Sequence, residues 1–191
     1  QKAIDILVKY HGENHELTIK ALLHQLDRRE QKDFEKDLKE ANNYLYQLQK
    51  IKGEGHSDLI HPLYLVAAIY FEKEDGEKLR EYCEKALQIT KKYYSENHIW
   101  TSRIYHLLGD AEALENKLSK ALEILEKSEK ILTKLFSWLT PNLVSLKKSI
   151  ADCYIDSKKY NKANSEINIC IEMSTRLFSE SHSLTRSCYK K

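Results

Sequence analysis

Histidine recurs along this chain at a nearly constant interval. The stretch ENHIWT, residues 96–101, has counterparts of similar composition elsewhere, and each contains one marker residue. The markers are His15, His56, His98, Pro141 and His182, separated by steps of 41, 42, 43 and 41 residues. Imidazole nitrogens bind zinc and act as general acids and bases. The series therefore suggests either a metal or catalytic site, or a purely structural repeat.

The composition favours a helical protein. The 191 residues include only five Gly and two Pro, whereas strand-rich domains need many turns. Hydrophobic residues make up 41%, enough for a core, and the net charge of +2 gives no basic pattern for nucleic acid. No stretch approaches the roughly 18 apolar residues of a membrane span, and the charged amino end resembles no signal peptide. We predict no nucleic-acid binding and no membrane insertion.

The cysteines are few and scattered. Cys83, Cys153, Cys170 and Cys188 form no C-x-x-C pair, and all lie in helical patterns. Disulfide-dense scaffolds are usually shorter and richer in cysteine. We therefore predict reduced thiols and a cytoplasmic location, with Cys170 acting as a small apolar residue of the core.

A period of 42 residues relates many positions beyond the histidines. Small residues align with small ones, and large apolar residues with large ones. The aligned sets are Ala67, Gly109 and Ala151; Val66, Leu108 and Ile150; Tyr70, Glu112 and Tyr154; Leu79, Ala121 and Ala163; Ala86, Ser128 and Cys170; Ile89, Ile131 and Met173; and Tyr94, Phe136 and Phe178. Periods of 20–50 residues are typical of solenoids.

Within each unit the apolar spacing is helical. Leu63, Val66, Ala67 and Tyr70 fall at i, i+3, i+4 and i+7, which is one face of a helix. Short polar joints divide each unit into two helices; they lie at 72–78, 115–119 and 156–160. We predict an all-α fold of stacked antiparallel helical hairpins, with the small residues where two helices cross closely.

Two motifs carry a family resemblance. Tyr105-x-x-Leu108-Gly109, followed twelve residues later by Ala121, resembles the tetratricopeptide repeat, and YIDSKKYNKA at 154–163 resembles its inter-helix turn. The usual repeat has about 34 residues, and the 42-residue form is similar to that of kinesin light chains. The resemblance implies a tetratricopeptide-type superhelix, an α-solenoid. It is weak over 16–52, where Gln25 and Asp37 occupy positions expected to be small.

A second resemblance is looser. The run from HPLYLVAAIY to TPNLVSLKKSIADCY is similar to the helical carboxy-terminal module of SET-and-MYND lysine methyltransferases. In those enzymes the chemistry belongs to a SET domain and a cysteine-rich zinc module, neither of which is visible in this sequence. This resemblance implies an accessory domain that shapes substrate access.

We predict a single helical-repeat domain over residues 1–191. The aligned positions divide this domain into successive segments. We predict the end of a preceding second helix at 1–12, a weak repeat at 16–52, repeats at 58–94, 98–137 and 141–178, and the start of a further helix at 182–191. Solenoids need polar caps at their ends. Because this array begins and ends in mid-repeat, we expect a fragment of a longer protein.

The repeat also explains the histidines. Each marker falls in a polar turn between one unit's second helix and the next unit's first, where Asn97 and Thr140 are good capping residues. Consecutive markers should lie about 20 Å apart, since each packed helix adds about 8–10 Å, whereas zinc ligands lie within about 2.1 Å of the ion. His11 and His15 have helical ligand spacing but no third ligand nearby. We predict no metal and no cofactor.

Catalytic motifs do not appear in the sequence. There is no Gly-rich phosphate loop, no G-x-S-x-G and no H-E-x-x-H. Carboxylates such as Glu126, Glu129 and Asp37 fall in Lys/Glu-rich helix faces, which are usually solvated surfaces. We therefore predict that this segment is not an enzyme.

Function is expected on the concave face of the superhelix, which in this family is lined by the first helix of each hairpin. The residues in matching positions are His61, Tyr64, Ala68, Phe71, Arg103, His106, Asp110, Lys148, Ser149 and Asp152. Aromatic, Arg, Lys and His side chains suit the apolar anchors and the carboxylates or carbonyls of a peptide. Tyr64 and Phe71 fit the hairpin interior equally well.

We predict a protein-interaction scaffold that binds a partner peptide or helix in this groove. The kinesin light chain pattern has paired asparagines on the groove helix, where this chain has Lys148-Ser149 and His106-Leu107. That family's cargo motifs therefore do not carry over. The alternative is the accessory carboxy-terminal helical domain of a SET-type protein lysine methyltransferase. An architectural spacer or a self-associating array is a third interpretation.

Overall fold

In the computed structural model, residues 2–29, 33–136, 139–178 and 182–189 are described, and every regular element within them is a helix. The helices are α1 Lys2–His11, α2 Glu16–Asp27, α3 Phe34–Lys52, α4 Ile60–Glu72, α5 Gly76–Tyr93, α6 Ile99–Leu114, α7 Leu118–Leu135, α8 Pro141–Asp156, α9 Tyr160–Leu177 and α10 Ser183–Tyr189. A short 3₁₀ helix, Ser57–Leu59, leads into α4. The predicted all-α class is confirmed.

The helices form two compact units, Gln1–Tyr93 and Tyr94–Lys191. In the first unit α2 packs on α3 and α4 packs on α5, while α3 also contacts α4. In the second unit α6 packs on α7 and α8 packs on α9, while α7 also contacts α8. Each unit is thus a stack of helical hairpins, which confirms the predicted architecture. The repeat boundaries and the single domain stay predictions.

Two helices of the second unit approach each other closely at Gly109. A Cβ atom built on Gly109 would lie 2.5 Å from Cδ2 of Leu125, on the other helix of the hairpin. Carbon atoms pack at about 3.5–4.0 Å, so this position has no room for a side chain. Ala67 and Ala151 occupy the same register and are also buried. The sequence prediction that Gly109 marks a helix contact is confirmed.

The two helices of a hairpin also contact each other through polar atoms, and this contact recurs in the next hairpin. The Ser128 hydroxyl donates to the Ser102 carbonyl oxygen at 2.8 Å, and the two hydroxyl oxygens lie 2.8 Å apart. One period later, Cys170 Sγ lies 3.6 Å from the carbonyl oxygen of Val144. The partners are 26 residues apart in both hairpins. Cys170 belongs to the core of the second unit. All four cysteines lie in the described part of the chain, and each is a buried thiol outside any disulfide.

The turns inside the hairpins share a left-handed residue. Glu74, Asn116 and Lys158 have φ angles of 55°, 59° and 59°. The residue after each donates its N–H to a carbonyl five positions earlier, as from Lys117 to Glu112 at 2.8 Å. This Schellman arrangement satisfies the last carbonyls of the first helix. Glycine is usual at the left-handed position, and these three hairpins form the turn without it.

Histidine caps the first helices. The Nδ1 atom accepts a hydrogen bond from the backbone N–H two residues further on, at 3.1 to 3.3 Å. The residues in this role are His15 before α2, His56 before the 3₁₀ helix, and His98 before α6. The recurring histidine is therefore a specific capping residue of the turn, and a neutral ring nitrogen replaces the usual side-chain oxygen.

The cap of α8 is a threonine. The backbone N–H of Leu143 donates to the Thr140 hydroxyl oxygen at 3.3 Å, which confirms the capping role predicted for Thr140. The same prediction for Asn97 is wrong, because α6 begins one residue later and His98 occupies its N-cap. Thr140 follows His98 by 42 residues. It is therefore Thr140, and not the marker Pro141, that stands in the histidine's structural position.

The weak first repeat contains a buried charge where a small residue was expected. Asp37 on α3 is only 4% exposed and forms an ion pair with Arg29, so the solvated surface predicted for this carboxylate is wrong. A second nitrogen of Arg29 lies 2.9 Å from Glu40. Buried carboxylates are tolerated when a partner of opposite charge compensates for their desolvation. The guanidinium therefore explains how the hairpin α2–α3 accommodates an acid in this register.

Candidate functional site

The first helices of consecutive hairpins lie side by side in the second unit. α6 contacts α8, and the Nε2 atom of His106 lies 2.9 Å from Oγ of Ser149. The preceding residue, Lys148, is on the same helix as Ser149. This hydrogen bond joins positions 43 residues apart in the sequence. The structure thus brings groove residues predicted from two different repeats together on one surface.

Asp110 lies behind this hydrogen bond. The residue is 7% exposed, and its Oδ2 atom lies 3.6 Å from Nε2 of His106. Burial raises the pKa of the Asp110 carboxyl, and His106 together with a hydrogen bond from the Ser149 hydroxyl acts in the opposite direction. Asp110 was predicted to line the groove. Its burial makes it a support that orients His106 and Ser149.

Ser149, His106 and Asp110 have the residue types of a hydrolytic triad without its geometry. In a triad the imidazole bridges its partners, with the serine on one ring nitrogen and the carboxylate on the other. Here Ser149 Oγ and Asp110 Oδ2 both face Nε2, at 2.9 Å and 3.6 Å. The ring is therefore not held between the two groups. The arrangement joins α6 to α8.

Arg103 lies one turn before His106 on α6. Its guanidinium carbon is 5.2 Å from the centroid of the Trp100 ring, within the range of a cation–π contact. Both residues are half-buried. Trp100 is not among the residues predicted from the sequence. Its i, i+3 spacing to Arg103 places the two side chains on neighbouring positions of a helix surface, and this pattern could have identified it.

Lys148 and Asp152 form an i, i+4 pair on α8. The Lys148 ammonium nitrogen lies 3.2 Å from Oδ2 of Asp152, and both side chains are about one-third exposed, at 31% and 30%. Pairs of this exposure contribute little to stability. An ammonium group has three donors, so Lys148 can keep this pair and still bind an acceptor on a ligand.

The remaining predicted residues belong to the first unit. His61, Tyr64 and Phe71 all lie on α4 and are all half-buried. Nε2 of His61 lies 3.9 Å from Oδ2 of Asp27 on α2, and its ring centroid is 4.8 Å from that of His24. Burial, reinforced by the neighbouring His61, lowers the pKa of His24. The first unit therefore has its own polar contact between first helices, built from different residue types.

Within residues 2–29, 33–136, 139–178 and 182–189, no group of three or more His, Cys, Asp or Glu side chains is arranged to hold a metal ion. His11 and His15 stack with their ring centroids 4.6 Å apart, and Nδ1 of His15 is engaged in capping α2. In the same described part of the chain, no helix combines the length and apolar character of a membrane span.

The sequence profile of the tetratricopeptide repeat family matches residues 58–134. The match covers the hairpins α4–α5 and α6–α7, including the Gly109 contact and two of the left-handed turns. Residues 58–134 are tetratricopeptide repeats. Comparison with curated protein sequences gives no match.

Solved structures of tetratricopeptide-type solenoids share the fold of this chain. BtubC (BKLC) from P. vanneervenii has a TM-score of 0.72 and 16% identity, over 99% of this chain and 78% of that one. A Podosopora anserina kinesin light chain with nearly identical TPR-like repeats has a TM-score of 0.67 and 14% identity, over 92% and 82% of the two chains. The kinesin light chain-type fold predicted from the sequence is confirmed. The SET-and-MYND resemblance stays a prediction.

The positions predicted to line the groove on α6 and α8 have side chains other than the paired asparagines of the kinesin light chain pattern. His106 is followed by Leu107, which is 6% exposed and belongs to the core. Lys148 and Ser149 are both half-buried, and Ser149 is bound to His106. The surface of the first helices therefore presents an imidazole and an ammonium group, beside the Trp100–Arg103 pair.

Proposed function

We propose that this chain is a protein-interaction scaffold whose tetratricopeptide repeats bind an extended segment or a helix of a partner protein. The observation that carries the proposal is the hydrogen bond of 2.9 Å between His106 on α6 and Ser149 on α8. It supports a common surface formed by the first helices of two repeats. Stacked helical repeats generally bind their partners on such an extended inner surface.

The proposed contact residues have complementary chemistry. Trp100 offers an aromatic face, and Arg103 offers a planar fork of donors for a carboxylate or for backbone carbonyls. His106 and Lys148 add donors on neighbouring helices. Asp110 and Asp152 orient these groups from behind and from the side. Arg and Trp contribute a disproportionate share of binding energy at protein interfaces.

His61, Tyr64 and Phe71 have the corresponding role in the first unit in this proposal. All three lie on α4, the first helix of its hairpin, and each retains partial exposure. Tyr64 and Phe71 can anchor apolar side chains of the partner, since aromatic rings bury a large area at low cost in conformational entropy.

The test uses a peptide selected on this chain from a random display library, with its Kd measured by fluorescence anisotropy. Arg103→Ala and Lys148→Ala should each weaken binding by at least about tenfold, or about 1.4 kcal/mol. The melting temperature should change little, because these side chains are only half-buried. A library that yields no binding peptide would contradict the proposal.

Lys127→Ala is the matched control. Lys127 lies on the second helix α7, its side chain is 51% exposed, and its ammonium pairs with Glu123 at 2.7 Å. Glu129 on the same helix is unsuitable, because it lies 2.7 Å from Lys147 on α8 and helps to hold the two helices together. If Lys127→Ala weakens binding while Arg103→Ala and Lys148→Ala leave it unchanged, the functional face is on the second helices.

A further inference from the structure

Three helix starts in this chain depend on a histidine nitrogen that acts as an acceptor. Nδ1 of His98 lies 3.2 Å from the backbone nitrogen of Trp100, and His15 and His56 make the same bond at 3.3 Å and 3.1 Å. A ring nitrogen accepts an N–H only while it keeps its lone pair. Each cap therefore requires a neutral imidazole with its proton on Nε2.

Protonation is unfavourable at this position for two reasons. It converts Nδ1 from an acceptor into a donor that faces another N–H group. It also places a positive charge at the helix N-terminus, where the unsatisfied N–H groups already form the positive end of the helix dipole. Thr140 caps α8 with a hydroxyl oxygen, which does not titrate in the pH range in which histidine does. The chain thus contains proton-sensitive and proton-insensitive caps.

The surroundings of His98 leave this effect uncompensated. Tyr94 stacks on the ring, with centroids 3.9 Å apart and planes inclined by 6°. Within the described part of the chain, no carboxylate forms an ion pair with His98, and burial lowers the pKa of its ring. His15 stacks on a second histidine, His11, at 4.6 Å, so two imidazolium rings there would repel one another.

His56 differs from His98 because it has a charged neighbour. Its Nδ1 atom lies 3.6 Å from Oδ2 of Asp58, and Tyr93 is 6.1 Å away between ring centroids. The same carboxylate is 3.0 Å from Lys20 and 3.9 Å from Lys52. A protonated His56 would gain an ion pair with Asp58 as it lost its cap. The effect of acid should therefore be clearest at His98.

We propose that protonation of His98 releases the first turn of α6 at mildly acidic pH and thereby weakens partner binding at Trp100 and Arg103. Trp100 donates the capped N–H, and Arg103 follows one turn later in the same helix. The consequence for binding rests on the proposed function, whereas the release of the turn does not. Because burial lowers the pKa of His98 in the folded state, the cap contributes its full stabilisation above the ordinary histidine pKa of 6.5. This stabilisation is lost as the pH falls below 6.5.

The experiment measures amide hydrogen exchange by NMR on the full chain at about pH 7.5 and about pH 5.5, on either side of the histidine pKa. The protection factor of the Trp100 amide should fall by at least about fivefold in the parent, because its acceptor is lost. In His98→Asn it should stay within about twofold, since asparagine caps without titrating. The Leu143 amide, capped by Thr140, should keep its protection in both proteins.

Equal protection of the Trp100 amide at the two pH values in the parent would overturn the proposal. So would a fall that persists in His98→Asn, since another group would then titrate, or a parallel fall at Leu143, which would indicate global unfolding. The Kd of the selected peptide is measured on the same two proteins at both pH values. Release of the turn without a change in Kd would overturn the link to binding and count against the proposed surface alone.

Discussion

A Cβ atom on Gly109 would lie 2.5 Å from Cδ2 and 2.6 Å from Cγ of Leu125. The two helices α6 and α7 therefore meet at a point with space for only a hydrogen atom. Leu125 is fully buried in the core of the second unit. A close-packed interior leaves such a side chain no alternative position, so this contact fixes how the two helices of the hairpin cross.

Gly109→Ala should lower the free energy of unfolding. Overpacking of a core costs about 1–3 kcal/mol, and the better helix propensity of alanine offsets up to about 1 kcal/mol of this. The control is Gly55→Ala, whose new Cβ would meet only the Lys92 ammonium at 3.7 Å and should change stability by less than about 0.5 kcal/mol. Urea denaturation compares the two, and equal midpoints would refute the assigned contact.

Replacement of the left-handed turn residues by glycine should stabilise the hairpins. Glu74→Gly and Lys158→Gly should each raise the free energy of unfolding by up to about 1 kcal/mol, because a β-carbon is unfavourable at positive φ. Asn116→Gly should gain less, since asparagine tolerates this conformation. Glu84 is an exposed residue in the middle of α5, and Glu84→Gly should instead lower the free energy of unfolding by about 1 kcal/mol. Thermal denaturation that finds all four variants destabilised would contradict the proposed strain.

Asp110→Asn should stabilise the chain at neutral pH. Burial raises the pKa of Asp110 above its usual value of 3.8, so the folded state holds the proton more tightly than the unfolded state does. Ionisation therefore reduces stability as the pH rises through the two values. The gain from asparagine should be small at about pH 3 and grow towards about pH 7. A gain that is independent of pH in denaturation experiments would exclude a charge effect.

Removal of the Arg29 guanidinium should leave the buried Asp37 carboxylate without this ion pair. Arg29→Ala should cost about 1–3 kcal/mol of stability, as expected when a buried charged group loses its partner. The double variant Arg29→Ala/Asp37→Ala restores the small residue typical of this register and should recover part of the loss. Melting temperatures measure both. A double variant less stable than Arg29→Ala would show that Asp37 stabilises by other contacts.

Transfer of a histidine cap to α8 should transfer its acid sensitivity. In Thr140→His, the new ring would follow Phe136 by four residues, as His98 follows Tyr94. Phenylalanine supports this stacking, since Phe178 and His182 have ring centroids 4.0 Å apart. The urea midpoint of Thr140→His should fall more than that of the parent between about pH 7.5 and about pH 5.5. Thr140→Ser is the control and should follow the parent.

The helical hairpins and their crossing point could be predicted from the sequence. Periodicity of apolar residues reports directly which side of a helix is buried, and the register of Gly109 with Ala67 and Ala151 reports a steric limit that no large residue can satisfy. The apolar periodicity is a local property of each helix, and the small residues repeat at a fixed interval. They are therefore visible without any knowledge of how the helices pack.

The capping role of His98 and the burial of Asp110 could not be predicted in the same way. A cap depends on the backbone conformation of one residue, and Asn97 and His98 are adjacent candidates until that conformation is known. The burial of Asp110 depends on how closely α8 approaches α6, and hence on the side chains of His106 and Ser149. Such non-local contacts follow from tertiary packing, which the period alone does not specify.

The spacing of the left-handed turns and the caps also constrains how such a chain can evolve. Glu74, Asn116 and Lys158 succeed one another by 42 residues, and so do His98 and Thr140. A deletion or duplication of 42 residues within the repeats that contain these residues joins equivalent points of two helices. A change whose length is not a multiple of 42 residues displaces every later cap and turn. Unequal recombination should therefore change the length of this array in whole repeats, even when its breakpoints fall in the middle of a helix.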